Sequence, residues 1–331
     1  MSQTARFVQQ VSRPRGRPTG AEFAFTEEPV PVPRPGTALV ENVLLSVDPY
    51  MRENMDADWE LSTPLEGRSI GRVTDSRTGA LAEGDLVFHR QGWRTHAVVD
   101  PKDVRVLPQT PGVPPETYLG ILGGTGLTAH VALSRIARLV PGETVYVSAA
   151  AGGVGSAAVQ LGKAAGATVI GVVGGPEKAA IAGKLGCDLV IDRRSEDIVA
   201  AVKEATGGRG ADVVYDPVGG DAYAKSVKCI AFEGRVVVVG FAGGDIPAPA
   251  LNHALVKNYS IVGLHWGLYN TKDPAAVRAC HDELTRLAAQ GVVKPLVSER
   301  VPMAEAANAV QRVADGTSTG RIVVLPEGGD R

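Results

Sequence analysis

Cysteine is scarce in this sequence. The three cysteines, Cys187, Cys229 and Cys280, lie far apart, form no CxxC pair and have no neighbouring histidine cluster. Their odd number and wide spacing argue against a disulfide framework and fit a reducing compartment. We therefore expect a cytoplasmic protein without structural disulfides.

Long apolar runs are missing as well. The first residues, Met1 to Phe7, are polar and lack the apolar segment of a secretory signal. No run elsewhere approaches the roughly 18 apolar residues that a transmembrane helix needs. The sequence therefore predicts a protein that has no membrane partner.

Neither sign of charge is in large excess. Lysine and arginine total 34 and aspartate and glutamate total 36, which gives a formal net charge of -2. A chain without a basic field has little attraction for a phosphate backbone. Nucleic acid is therefore not an expected partner, whereas a small molecule is.

Glycine, by contrast, is abundant, with 40 residues in a chain of 331, and this surplus indicates many turns or close backbone approaches. A chain of this length suits two domains better than one ordinary core. The composition changes near residue 120. We predict one domain over residues 1–121 and 293–331 and a second over residues 122–292.

The first domain contains short strand-like runs separated by turn signals such as Arg34-Pro35-Gly36. Helical periodicity is nearly absent there. The predicted strands are Ala38–Ser46, Ser69–Thr74, Asp85–Phe88 and Trp93–Val99. This pattern favours a β-rich, barrel-like domain.

The second domain alternates short apolar strands with helices, which indicates βαβ units and a parallel sheet covered by helices. The predicted strands are Thr144–Ser148, Thr168–Val173, Leu189–Ile191, Asp212–Asp216, Gly234–Gly240 and Ser260–Leu264. The predicted helices are Leu127–Ala137, Val154–Ala165, Glu177–Leu185, Asp197–Thr206, Tyr223–Ile230 and Pro274–Gln290. A run at Val292–Val301, a helix at Met303–Ala314 and a strand at Arg321–Leu325 would then return to the first domain.

A glycine-rich segment between a predicted strand and a predicted helix reads A-x-G-x-x-G, with Ala150, Gly152 and Gly155 in the three key positions. Gly152 would let the backbone approach a pyrophosphate, and Gly155 would let the helix pack against the strand. The N–H groups at the helix N-terminus would attract the phosphates. The pattern predicts a doubly wound (Rossmann) dinucleotide domain, and the alternative is a glycine-rich turn without a ligand. The residues expected at the pyrophosphate are Ala151, Gly152, Gly153, Val154 and Gly155.

The end of the second strand of this domain discriminates between the two nicotinamide cofactors. NAD sites usually place a carboxylate there, against the ribose 2′-hydroxyl, but Thr168–Val173 ends without one. Lys178 follows closely, and Arg193 and Arg194 follow the next strand. Cations in place of a carboxylate predict a 2′-phosphate and hence NADPH. The alternative is that these cations are only solvated.

Zinc ligands are not recognisable. Dehydrogenases with a β-rich domain of this kind often hold a catalytic zinc ion through Cys and His. The first domain has no cysteine, and His89 and His96 have no third ligand at a recognisable spacing. We therefore predict that no metal takes part.

On these features the chain resembles the zinc-free branch of the medium-chain dehydrogenase/reductase superfamily over essentially its whole length. The first part is similar to the leukotriene B4 dehydrogenase, prostaglandin reductase and alkenal double-bond reductase group, most specifically at Ser46–Arg52. The remainder is more similar to NADPH:quinone oxidoreductases of the zeta-crystallin type. The segments that carry this second similarity include Asp216–Gly220, Leu255–Asn258, Gly263–Gly267 and Thr319–Val323.

The resemblance implies a GroES-like catalytic domain and hydride transfer from NADPH to the β-carbon of an α,β-unsaturated carbonyl, or to a quinone. It implies that Thr128 lies near the nicotinamide and that Lys178 contacts the 2′-phosphate. Arg193 stands where both groups commonly carry a tyrosine that contacts this phosphate. The nicotinamide pocket would be lined by Gly240, Phe241, Leu264 and His265.

Tyr50, in the matched segment Ser46–Arg52, is the candidate catalytic residue. Hydride addition to an enone develops negative charge on the carbonyl oxygen, and the phenol could donate a hydrogen bond to it. The alternative is a barrel-lining tyrosine whose hydroxyl is satisfied within the protein.

Other functions remain open at this point. Asn252 stands where some double-bond reductases carry a second tyrosine, so a non-redox cyclase or lyase, with NADPH bound structurally or absent, is the alternative enzyme. A binding protein is a third possibility, although the near-neutral charge disfavours RNA. Because Ser260–Leu264 would be an exposed edge strand, we also expect a homodimer.

Overall fold

The structure is a computed structural model that describes residues 4–16 and 18–326. Parts of the predicted first domain, namely residues 1–3, residue 17 and residues 327–331, lie outside the described residues. The chain divides into two compact units, with boundaries after Leu119 and after Leu296. The assignment of a catalytic role to the first unit and of NADPH binding to the second stays a prediction.

The strands and helices are numbered along the chain. The strands are β1 (Thr4–Gln10), β2 (Phe23–Pro29), β3 (Ala38–Ser46), β4 (Ser69–Ser76), β5 (Leu86–His89), β6 (His96–Val99), β7 (Arg105–Val106), β8 (Thr144–Ser148), β9 (Thr168–Val173), β10 (Leu189–Asp192), β11 (Ala211–Asp216), β12 (Ile230–Val238), β13 (Ser260–Gly263), β14 (Val297–Pro302) and β15 (Arg321–Leu325). The helices are α1 (Tyr50–Asp56), α2 (Glu116–Leu119), α3 (Gly124–Val131), α4 (Gly153–Ala164), α5 (Pro176–Lys184), α6 (Ile198–Ala205), α7 (Gly220–Ser226), α8 (Leu251–Lys257), α9 (Tyr269–Lys272), α10 (Pro274–Ala289) and α11 (Ala306–Ala314). A π-helical turn, Ala132–Ile136, continues α3.

Strand β3 organises the first unit. Among the described residues, the larger sheet has the order β14-β15-β3-β4-β5-β7, and β6 also pairs with β3. All of its pairs are antiparallel except β14 with β15. Strand β15 pairs with β3 at Val323↔Ser46 and Val324↔Leu45. The chain therefore returns to the first unit at β15.

The β-rich first unit also contains the helix α1, which the sequence analysis did not predict. Met51 and Met55, four residues apart, are fully buried and fix one face of the helix. At its other end, Gln10 Nε2 donates to the Met55 carbonyl, and the Arg13 guanidinium donates to the Trp59 carbonyl. A helix of seven residues is too short to be stable alone, so these tertiary contacts determine it. Tyr50 consequently begins a helix and does not lie in a barrel strand.

The second unit contains a parallel sheet. Its order within the described range is β10-β9-β8-β11-β12-β13, and all neighbouring strands run parallel. Numbered within the unit, this is the order 3-2-1-4-5-6 of dinucleotide-binding sheets. The α/β fold class predicted from the sequence is confirmed. The strand order reverses between β8 and β11, so ligands are expected beyond the carboxyl ends of these two strands.

Two predicted boundaries in this unit are wrong. The helix expected over Tyr223–Ile230 is α7 followed by a short 3-10 turn, and β12 begins at Ile230 rather than at Gly234. Glu233 has a φ of 58°, and the pairing of β12 with β11 shifts register between Ile230 and Arg235. This bulge interrupts the alternation that marks a strand in sequence, so the first half of β12 was not recognised.

Candidate functional site

The glycine-rich turn joins β8 to α4 as the sequence predicted. A Cβ atom built on Gly155 would lie 2.1 Å from the Ala149 carbonyl oxygen, and one on Gly152 would lie 3.1 Å from it. Gly152 N donates to the same oxygen at 2.8 Å. The nearest neighbour of Gly155 is thus the turn and not the strand, which corrects the expected reason for this glycine.

The helix α4 offers backbone donors at this turn. Gly152 is its N-cap residue, and no side chain of the cap accepts a hydrogen bond there. The first amides of a helix have no intrahelical partner, so those of Gly153, Val154 and Gly155 are available to an anion. Ala150 and Ala151 are buried at the base of the turn. Thr125, which sequence reasoning missed, contributes its Cγ2 3.8 Å from the position of a Cβ on Gly153.

Three cations meet at the carboxyl end of β9. A Cβ atom on Gly174 would lie 3.2 Å from Arg193 Nε, and one on Gly175 would lie 3.0 Å from Arg194 Nη1. Both guanidinium groups therefore lie against this glycine pair. Burial lowers the pKa of Lys178, and the positive charges of Arg194 and Arg193 lower it further. Such a cluster favours binding of a polyanion.

Asp192 organises these residues and was missed in the sequence. It ends β10, and its Oδ1 accepts from Gly175 N at 2.8 Å and from Arg194 N at 3.0 Å. The hydrogen bond from Gly175, followed by that from Arg194, lowers its pKa. The carboxylate thus fixes the backbone of the glycine pair. Because it lies on the strand after the expected one, the spacing rule for ribose-binding carboxylates did not identify it.

The loops after β11 and β12 are joined at the same end of the sheet. Asp216 is fully buried, and its Oδ1 accepts from Val218 N at 3.0 Å and from Gly219 N at 3.2 Å. Ala242 N then donates to the Pro217 carbonyl at 3.0 Å. The Phe241 ring packs on Gly219, because a Cβ there would lie 3.0 Å from Phe241 Cδ1. Burial raises the pKa of Asp216.

The residues expected around the nicotinamide lie on two neighbouring strand ends. Gly240 and Phe241 follow β12, and Leu264 and His265 follow β13. Leu264 N donates to the Val238 carbonyl at 3.0 Å, which joins the two ends. Leu264 is buried, whereas Phe241 and His265 are exposed. Thr128, on α3, uses its hydroxyl to donate to the Gly124 carbonyl at 2.7 Å. Their contact with a nicotinamide stays a prediction.

In the first unit, the Tyr50 hydroxyl oxygen is buried and has no hydrogen-bond partner among the described residues. The alternative prediction is that a group within the protein satisfies this hydroxyl. The described residues supply no such hydrogen-bond partner. Burial raises the pKa of Tyr50, and the charges of Asp48 and Glu66 raise it further. The phenol consequently keeps its proton and is available as a hydrogen-bond donor.

Asp48 forms a buried ion pair that the sequence did not reveal. Its Oδ1 lies 2.9 Å from Arg321 Nη1, and the side chains are 3% and 8% exposed. Ser46 Oγ donates to the other carboxylate oxygen at 2.5 Å. Burial alone would raise the pKa of Asp48, but Arg321, Arg68 and Ser46 together hold it below its ordinary value. The two partners are 273 positions apart in sequence, so no local pattern could indicate the pair.

His89 has a structural role, because both of its ring nitrogens form hydrogen bonds within the protein. Its Nδ1 accepts from Gln91 N at 3.2 Å, and its Nε2 lies 2.7 Å from Asn42 Oδ1. The ring therefore carries its proton on Nε2 and is neutral. His96 Nδ1 lies 3.0 Å from Thr95 Oγ1. Within residues 4–16 and 18–326, no group of three or more His, Cys, Asp or Glu side chains could hold a metal ion.

None of the described helices is long and apolar enough to cross a membrane.

Two family models match the chain. One, described as the N-terminal domain of oxidoreductase, matches residues 6–107, and another, described as zinc-binding dehydrogenase, matches residues 153–282. The quinone oxidoreductase-like protein 2 homolog of Nematostella vectensis is 39% identical over 289 residues, which cover 86% of this chain and 77% of that protein. The chain belongs to the medium-chain dehydrogenase/reductase superfamily. The family predicted from the sequence is thus confirmed.

Other members of the superfamily are also similar to this chain. The NADPH-dependent curcumin reductase of Escherichia coli (strain K12) is 34% identical over 236 residues, which cover 69% of this chain and 68% of that protein. The crystal structure of CurA in complex with NADPH from Vibrio vulnificus has a TM-score of 0.82 at 27% identity and covers 98% of this chain and 100% of that chain. Although one matching family model is described as zinc-binding, a zinc-free site remains the prediction for this member.

Gly155→Ala should destabilise the protein by roughly 1–3 kcal/mol, because the new methyl group would overlap the Ala149 carbonyl oxygen. Gly183→Ala is a matched control in α5, where an added Cβ meets nothing within 4 Å. It should be neutral or stabilising by up to roughly 1 kcal/mol. Urea unfolding of both variants measures the difference, and equal stabilities would show that the turn is not tightly packed.

His89 should make the free energy of unfolding fall as the pH decreases. Burial, aided by Arg94, lowers its pKa from 6.5 to about 3 in the folded protein. Between pH 6 and pH 4.5 the unfolded chain therefore binds a proton that the folded protein does not, which costs about 1.4 kcal/mol per pH unit. Urea unfolding should show this loss in the wild type and a fall smaller by about 2 kcal/mol in His89→Gln. The same pH dependence in both proteins would contradict a neutral buried ring.

Proposed function

We propose that this protein is an NADPH-dependent reductase that transfers a hydride, without zinc, to the β-carbon of an α,β-unsaturated carbonyl or to a quinone. The observation that carries the proposal is the meeting of Lys178, Arg193 and Arg194 at the glycine pair that follows β9. An NAD site would be expected to place a protein carboxylate there, against the 2′-hydroxyl of the adenosine ribose. The names of the similar curcumin reductase and of the NADPH complex of CurA support the choice of NADPH.

The residues present fit NADPH. The turn before α4 contains glycines whose side chains would contact the Ala149 carbonyl oxygen, and the first amides of α4, which lack intrahelical partners, would bind a pyrophosphate. The 2′-phosphate would be bound by Lys178 and Arg193, with Arg194 adjacent. These residues follow the neighbouring strands β8, β9 and β10 at the same end of the parallel sheet.

When bound, NADPH supplies the hydride to the substrate. The pocket of Gly240, Phe241, Leu264 and His265 would hold the nicotinamide and exclude water. Hydride addition at the β-carbon moves an electron pair to the carbonyl oxygen, and the α-carbon then takes a proton that derives from solvent. Tyr50 would donate a hydrogen bond to that oxygen and stabilise the developing charge. Because its pKa is raised, it would act as a donor and keep its own proton.

The experiment is a turnover assay with product analysis. Purified protein is incubated with NADPH and panels of enals, enones and quinones, and the absorbance at 340 nm is followed. With NADPH deuterated at the transferred position, we expect deuterium at the β-carbon of the reduced enone. Treatment with EDTA should leave the rate unchanged. Tight NADPH binding without oxidation by any substrate would overturn the proposal in favour of a non-redox lyase or cyclase.

We also propose a homodimer formed through β13, which is the edge strand of the parallel sheet. The neighbouring helix α8 has no buried residue in the single chain. Its apolar side chains Leu251, Leu255 and Val256 are 77%, 77% and 78% exposed. An unpaired strand edge beside an apolar helix is a typical surface for pairing with a second copy.

Leu255→Glu should convert the dimer to a monomer, because it places a charge on this apolar surface. Light scattering at micromolar concentration measures the mass. Val140→Glu is the control, since Val140 is an exposed apolar residue before β8, and it should leave the dimer intact. A monomeric wild-type protein would reject the proposed dimer.

A further inference from the structure

Arg68 lies directly before β4 and beside Tyr50. Its guanidinium carbon is 5.8 Å from the centroid of the Tyr50 ring. Its carbonyl accepts from Ser46 N at 2.9 Å, so its backbone is fixed to the end of β3. One quarter of the side chain, 25%, remains exposed. The guanidinium therefore lies over the ring of the candidate catalytic tyrosine and is partly exposed to a ligand.

The charge of Arg68 is only partly compensated. Arg68 Nη1 lies 3.5 Å from Asp48 Oδ1, whereas Arg321 Nη1 lies 2.9 Å from the same oxygen. Asp48 is thus neutralised mainly by Arg321. Of the other charges that act on Tyr50, Glu66 and Arg90 form an ion pair with each other at 2.5 Å. The surroundings of Tyr50 therefore hold a surplus of one positive charge, and Arg68 carries it.

We propose that Arg68 is a specificity-determining residue that binds a carboxylate adjacent to the carbonyl group held by Tyr50. The preferred substrates are then 2-oxo-3-enoic acids, in which a carboxylate is attached directly to the carbonyl carbon of an enone. Tyr50 donates to the ketone oxygen, and the guanidinium donates to the carboxylate. This inference rests on the proposed function.

A matched pair of substrates tests the proposal. The acid 2-oxo-4-phenylbut-3-enoate and the ketone 4-phenylbut-3-en-2-one differ only in a carboxylate that replaces a methyl group. We expect the wild type to prefer the acid in kcat/KM. Arg68→Gln should lower kcat/KM for the acid by roughly 10- to 100-fold through KM, because a charge-assisted hydrogen bond is lost. The ketone should change by less than about twofold, and Arg68→Lys should recover part of the loss for the acid.

Arg72→Gln is the control variant, because Arg72 is an exposed arginine on β4, the strand that follows Arg68, and donates to the Gly84 carbonyl. This variant also removes one positive charge, and it should leave kcat/KM unchanged for both the acid and the ketone. Thermal unfolding of each variant separates a folding defect from a binding defect. Equal losses for acid and ketone in Arg68→Gln, or no preference for the acid in the wild type, would overturn the proposal.

A binding measurement separates this inference from the proposed function. The saturated acid 2-oxo-4-phenylbutanoate cannot accept a hydride at a double bond, and calorimetry with the NADPH-loaded protein gives its affinity. Weaker binding to Arg68→Gln supports the carboxylate site even if no enone is reduced, in which case only the proposed function fails. Unchanged binding beside normal turnover of enones overturns the carboxylate site alone.

Discussion

Arg193→Gln should weaken the binding of NADPH by roughly 10- to 100-fold, because it removes a charged donor to the 2′-phosphate that is worth roughly 1.5–3 kcal/mol. Binding of NADH, which lacks this phosphate, should change by less than about twofold. The physical reason is local. The Arg193 guanidinium lies against Gly174, where the adenosine ribose is expected. Calorimetric titration of both cofactors measures the two affinities.

Variants of the two neighbouring cations show which residue contacts the 2′-phosphate most directly. Arg194→Gln tests the guanidinium that lies against Gly175, and Lys178→Gln tests the third charge. The residue with the largest effect on NADPH alone contacts the phosphate most directly. Arg278→Gln, an exposed arginine on α10, serves as the control and should change neither affinity. Equal affinity of the wild type for NADH and NADPH would remove the basis for assigning a phosphate site.

Tyr50→Phe should lower kcat by about 100- to 1,000-fold, the usual effect of losing one donor to a developing oxyanion. Its KM should change little, and its affinity for NADPH should not change. The substitution removes a buried hydroxyl that lacks a partner among the described residues, so the folded protein should be no less stable. Steady-state assays of NADPH oxidation measure kcat and KM, and thermal unfolding measures the stability.

Tyr215→Phe is the matched control for Tyr50→Phe. Tyr215 lies on β11, and its hydroxyl is also buried without a hydrogen-bond partner in the described part of the chain. Loss of this second hydroxyl should leave kcat unchanged, because Tyr215 is fully buried in the sheet. If both variants lost activity equally, a general effect on packing would replace the assigned role of Tyr50.

The sequence predicted the parallel sheet well for a physical reason. Strands β8 and β9 are short apolar runs bounded by glycine turns, and the predicted Thr144–Ser148 and Thr168–Val173 coincide with the observed strands. Strand β1 was not predicted, because Arg6, Gln9 and Gln10 interrupt its apolar pattern. Gln10 is nevertheless fully buried, since its amide donates to carbonyls of the chain. Contacts of this kind are decided by the tertiary structure and not by the local sequence.

The candidate site likewise contains some residues that the sequence could indicate and others that it could not. Gly152, Gly155 and Lys178 belong to short segments whose spacing follows from one turn or one strand end, so the sequence could indicate them. The roles of Asp48 and Arg321 can be recognised only once the fold brings the two residues together as an ion pair. The charge balance that distinguishes Arg68 depends on how closely two guanidinium groups approach one carboxylate, and no sequence pattern encodes that distance.

The Asp48–Arg321 pair has a consequence for synthesis of the chain. Asp48 is made early, whereas its partner Arg321, on β15, is made after the whole parallel sheet. On the ribosome, the second unit can therefore close around its own core while Asp48 still lacks its cation. Contacts between such distant positions form slowly, so the nascent first unit should depend longest on protection from aggregation.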